Sequence, residues 1–187
     1  MRILIFVVVI FFGFASQAFL LDFNLDAFDG NLSTTSDSKN SRLFGSIGLM
    51  ADLSKSDSVR INFGFSLINV HLKNELGSNA SESLTSLDMG PSIRWNIDDH
   101  KLYSLSAVYG VFAKGKYESS GISQSLTGNS YYFKFAIEPE VSERIHLGFA
   151  LNYYSVQYGS AVINSVESSV AYKNSWFFPS ISLAFRL

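Results

Sequence analysis

Cysteine is absent from all 187 residues. That excludes a disulfide scaffold, a thiolate metal centre and a thiol nucleophile together. It also excludes a lipoprotein anchor, which needs an acylated cysteine. Three prolines and 13 glycines exclude collagen-like and proline-rich chains. Charge is scarce as well: Asp, Glu, Lys and Arg make up 16% of the chain, against about 25% in an ordinary soluble domain. The formal net charge is −2, so the basic field that attracts nucleic acid is missing. Past residue 21 no apolar run approaches the roughly 20 residues of a spanning helix. If the rest of the chain crosses a membrane, it does so as strands.

What the chain does have begins with an address. Met1-Arg2 is followed by an apolar run from Ile3 to Phe14 and then by Ala15-Ser16-Gln17-Ala18. One positive charge, an apolar core and small residues at Ser16 and Ala18 match a secretory signal cleaved after Ala18. The expected mature chain is residues 19–187, and the expected destination lies beyond the cytoplasmic membrane.

From Leu21 onward the hydrophobic pattern has a period of two, as a strand with two different faces requires. It recurs over 21–27, 42–53, 59–67, 87–97, 103–113, 131–141, 145–153 and 177–187, which predicts eight strands. The connections alternate in length. Polar stretches at 31–41, 74–83, 118–129 and 160–174 alternate with short turns at 54–57, 98–100 and 142–144. Short turns at one end and long loops at the other predict an all-β, eight-stranded, antiparallel up-and-down transmembrane β-barrel, with both termini on the short-turn side.

The two faces differ in chemistry. Odd positions in the strand cores carry no charge and are bulky; they include Pro91, Pro139 and Pro179. Even positions carry Asp22, Asp26, Arg42, Asp52, Arg60, Asp88, Arg94, Lys114, Lys116, Lys134, Glu138, Glu140 and Arg186 among many Gly, Ser and Ala residues. A charge-free face suits hydrocarbon, where a midplane Lys or Arg costs about 2–4 kcal/mol. The even face is therefore the expected lumen, with Phe112, Tyr132, Tyr154 and Phe178 as its large fillers. Its acids and bases are nearly balanced, and unpaired buried charge is costly. The expected lumen is thus a structural charge network, with Arg94 or Lys134 meeting Glu138 or Asp88. Outward aromatics fall into two sets, Phe23, Trp95, Tyr103 and Phe185 near the short turns, and Phe65, Tyr109, Tyr131, Phe133, Tyr153 and Phe177 near the long loops. Two aromatic girdles are the mark of a barrel's two water interfaces.

The final stretch Phe177-Phe178-Pro179-Ser180-Ile181-Ser182-Leu183-Ala184-Phe185-Arg186-Leu187, together with Gly90-Pro91-Ser92-Ile93-Arg94-Trp95, resembles the small bacterial outer-membrane β-barrels, the superfamily of the OmpA barrel, OmpX and OmpW. The resemblance implies residence in a Gram-negative outer membrane, contact with lipid and lipopolysaccharide, and assembly by the barrel-assembly machinery through Phe185 and Leu187. Leu187 departs from the usual terminal Phe or Trp. The superfamily shares no single activity. Some members act on lipid A with a His and a Ser two residues apart. Here the residues two after His71, His100 and His146 are Lys73, Leu102 and Gly148. Glu138 and Glu140 share a face with Lys134 and Arg94, so pairing is a simpler role for them than acid–base chemistry. The expectation is a monomeric, non-enzymatic barrel without cofactor or metal, with a plugged lumen and a structural role or a surface ligand reached through its long loops. The alternative is a narrow conduit for small hydrophobic solutes of the OmpW kind. Asn31-Leu32-Ser33 and Asn79-Ala80-Ser81 match the glycosylation pattern, which polar loops produce by chance.

Overall fold

The computed structural model describes residues 19–31, 39–53, 60–76, 80–97, 102–119, 121–163 and 165–187. The signal segment, His100 and Asn79 lie outside the described residues. The elements are β1 (Phe19–Asn31), β2 (Lys39–Asp52), β3 (Arg60–Leu76), β4 (Ala80–Asn96), β5 (Tyr103–Ser119), β6 (Ile122–Ile137), β7 (Glu140–Ser142), β8 (Ile145–Ile163) and β9 (Val166–Arg186). Strands β1 to β6 pair antiparallel in sequence order, β8 pairs with β6, β7 and β9, and β9 returns to β1. The ring closes where Leu20–Leu25 of β1 pair with Ile181–Arg186 of β9. That closure is what a strand needs in hydrocarbon.

The eight expected strands are all present, with one interruption. Pro139 has no N–H to donate, and the sixth strand breaks there. Pairing survives on both sides of the break: Glu138 N donates to Leu102 O at 2.7 Å, and Leu147 N donates to Pro139 O at 3.2 Å. Strands β6 and β7 thus act as one barrel strand.

The long loops are a correction. Residues 39–41, 74–76, 80–83, 118–119, 122–129, 160–163 and 166–174 are strand, not loop. Ser119 faces Ile122 and Ile163 faces Val166, so two-residue turns join β5 to β6 and β8 to β9. Gly121 supplies the positive φ in the first turn and Ser165 takes it in the second. Polar residues at both parities hide these strands from a period-two reading. The asymmetry between the two ends lies in strand length beyond the apolar band. On β9 the ten residues above Phe177 rise about 25 Å at ordinary strand rise and tilt.

Even positions point inward over most of the barrel, and the odd face is apolar and open. Phe149 is 76% exposed and Phe177 70%. Leu25, Ile47, Phe63, Phe65, Met89, Ile93 and Leu151 share that exposure, and no described Asp, Glu, Lys or Arg interrupts them. A soluble protein does not leave so continuous an apolar belt in water. Tyr109 stands against Tyr131 with ring centroids 5.2 Å apart, and Phe133 against Tyr153 at 6.5 Å, along the upper edge. Tyr103 stacks on Phe135 at 6.4 Å lower down.

The parity changes within β5. Gly110 opposes Ser130, but Ala113 opposes Gly128. On the other side Ser92 opposes Val108 while Met89 opposes Phe112. One extra residue is inserted at Val111–Phe112, a β-bulge that sends two successive side chains outward. Ala113 is consequently buried.

A lumenal charge network as the candidate functional site

Four charged side chains from three barrel strands meet inside the lower half of the barrel. Asp22 on β1, Arg94 on β4, Lys134 on β6 and Glu138 after β6 are all buried. Lys134 Nζ lies 2.6 Å from Asp22 Oδ1 and 3.7 Å from Glu138 Oε1. Arg94 Nη1 is 3.2 Å from the same Asp22 oxygen, and its Nη2 donates to Glu138 Oε2. Two cations and two carboxylates make the quartet neutral. Neutral donors complete it: Ser104 Oγ donates to Glu138 at 3.1 Å, Ser182 Oγ donates to the other Glu138 oxygen, and Lys134 reaches Ser182 at 3.0 Å. Burying ions is expensive unless their remaining donors and acceptors are met, and here most are.

Above the quartet lies an uncharged layer. Asn24 Nδ2 donates to Tyr132 OH at 2.6 Å and to Asn152 Oδ1 at 2.9 Å, and Asn152 Nδ2 donates to Ser180 at 2.7 Å. Higher still the lumen turns apolar. Phe44 packs against Phe178 with centroids 4.7 Å apart, against Tyr132 at 5.2 Å and against Tyr154 at 5.8 Å. Arg42, paired with Asp26 at 2.7 Å, lies 4.7 Å from the Phe178 ring centroid and caps that layer. Asp88 sits fully buried in the same region. It accepts from Ser86 Oγ at 2.6 Å and from Tyr154 OH, with Ser130 close by. No cation among the described residues reaches it.

The structure thus brings together Asp22, Arg94, Lys134 and Glu138 of the sequence-derived set. Asp26 pairs separately with Arg42, and Arg60 lies 3.6 Å from Asp52 at the short-turn mouth. Asp88 meets neither Arg94 nor Lys134, against expectation. Lys114 is a further correction, with Lys116 and Phe112: the β5 bulge turns all three outward, and Phe112 is 60% exposed rather than a lumen filler. Glu140 is exposed on β7, past the proline break, and Arg186 is half-buried near the end of β9. Phe185 faces Leu21 and Ile145 across its neighbours, and Leu187 N donates to Phe19 O at 2.8 Å. Sequence reading does not single out Asn24, Asn152 and Ser182. Their even positions on strands are the signal that marks them.

His71 Nδ1 is 2.9 Å from Thr85 Oγ1 on the outer wall, and His146 Nδ1 is 3.3 Å from Glu138 O inside. No metal-binding group of three or more His, Asp or Glu occurs among the described residues.

A closed ring of eight antiparallel strands, apolar and charge-free around its waist and polar within, defines a membrane β-barrel. Among solved structures the chain is similar to Neisserial surface protein A, at 14% identity and a TM-score of 0.49, over 91% of this chain and 95% of that one. No protein-family model matches the chain, and no curated protein matches it.

Proposed function

We propose that this chain is an integral outer-membrane β-barrel of a Gram-negative bacterium, monomeric, with a side-chain-filled lumen and a structural or surface-interaction role. The observation that carries the reading is the pairing of the two surfaces. Outside, a charge-free belt suits hydrocarbon. Inside, a neutral ionic quartet below an aromatic layer of Phe44, Tyr132, Tyr154 and Phe178 leaves little room for water. Eight-stranded barrels are just wide enough for side chains to fill. The signal segment supplies the route, and Phe185 and Leu187 supply the assembly signal.

The test is fractionation followed by liposome swelling. The full chain expressed in a Gram-negative host is expected in the outer-membrane fraction, migrating faster unheated than boiled on a gel. Liposomes carrying it should swell in arabinose no faster than empty ones. Recovery in the periplasm overturns the location, and rapid swelling overturns the filled lumen.

A further inference from the structure

The β5 bulge does more than empty the lumen of two lysines. It places them on an outward sheet face where the apolar band ends. Read across β3, β4 and β5, the last apolar row is Leu67, Met89 and Phe112. Above it come the rows Asn69–Leu87–Lys114, His71–Thr85–Lys116 and Lys73–Ser83–Glu118. Cations therefore begin within one row of the hydrocarbon-facing surface. Lys73 is met by Glu75 at 2.6 Å and Lys116 by Glu118 at 2.5 Å. Both carboxylates lie further up their strands than the lysines they meet, so the side toward the bilayer is cationic. No carboxylate among the described residues pairs with Lys114. A concavity of about 710 Å³ on this flank is lined by His71, Lys73, Ser81, Ser83, Glu118 and Ser123.

We propose that this face seats the phosphorylated sugar headgroup of an outer-leaflet glycolipid, a lipid A-type molecule. The inference rests on the outer-membrane reading above. Lys114 and Lys116 stand two residues apart on one strand face, about 7 Å, a span that two ammonium groups close on a single phosphate by bending their stems. Ser81, Ser83 and Thr85 offer hydroxyls to sugar oxygens, and Leu67, Met89 and Phe112 offer the acyl chains an apolar wall. A lysine near an anionic membrane surface is worth about fivefold in binding. The two lysines together should therefore give at least tenfold selectivity for a phosphorylated headgroup.

The test uses the protein purified from the outer membrane, placed in phosphatidylcholine nanodiscs and titrated with bis-phosphorylated lipid A or its dephosphorylated form, with bound lipid counted by native mass spectrometry. The phosphorylated lipid should bind at least tenfold better. That preference should vanish in Lys114→Gln/Lys116→Gln, whose folding is checked by heat-modifiable mobility, and persist in Lys173→Ser, which alters an exposed lysine on β9. Inorganic phosphate at equal concentration should not displace the lipid. Equal binding of both lipids, or equal loss in the Lys173 variant, would overturn the seat. A chain absent from the outer-membrane fraction overturns the outer-membrane reading itself, and the seat with it. A chain present there without phosphate preference overturns the seat alone.

Discussion

Removing one charge from the lumenal quartet leaves its partners buried and unmatched. Glu138→Gln strands part of the charge on Arg94 and Lys134, and Arg94→Met strands Asp22 and Glu138. Each change should cost about 3–5 kcal/mol, measured as a shift in the urea midpoint for unfolding in detergent micelles. The double variant Arg94→Met/Glu138→Gln, which restores neutrality, should lose less than the sum of the two. Lys39→Glu on exposed β2, where Lys39 meets Asp29 at 3.1 Å, should cost less than 1 kcal/mol. Additive losses in the double variant would mean that the quartet does not act as a unit. Asp88 behaves differently, because it is held by hydroxyl donors and no described cation. Asp88→Asn keeps the shape and removes the charge, so it should be neutral or stabilising in the same unfolding assay. A loss as large as that of Glu138→Gln would mean that Asp88 is an ion with a partner. Asp22, Arg94 and Glu138 were legible as lumenal because strict alternation assigns a face to every residue. Which of them meet was not legible, because strand register and barrel stagger decide it.

Strands this curved come close together, and glycine permits the closest approaches. A Cβ at Gly148 would stand 1.8 Å from Ile137 O, whereas one at Gly45, on the outer face, meets nothing within 4 Å. Gly148→Ala should therefore lower stability by about 2 kcal/mol or more, and Gly45→Ala should leave it nearly unchanged, read from the same urea transitions. Equal effects would contradict the close strand approach at Ile137. The β5 bulge belongs to the same scale. Alternation predicts Phe112, Lys114 and Lys116 inside because it counts residues, and a single inserted residue resets the count. Nothing in the local composition around Val111 marks the insertion. Bending of the sheet demands it, and that bending is a property of the closed ring.

At the scale of the whole molecule, the apolar belt is shorter than the strands that carry it. Alternation was legible inside the belt, where one face meets lipid and the other meets the core. It faded above the belt, where water wets the outer face, and strands at 122–129 and 166–174 read as loops. Their backbone pairing predicts slow exchange: the amides of 122–129 and 166–174 that bond to a neighbouring strand should be protected from deuterium for far longer than exposed loops allow. Exchange within seconds across both would restore the loop reading. On the proposed function the lumen is closed by its own side chains, ionic below and aromatic above. Single-channel recording of the purified protein in a planar lipid bilayer decides it. Inserted, heat-modifiable barrels should be electrically silent. Steady, discrete openings from the wild-type protein would contradict it.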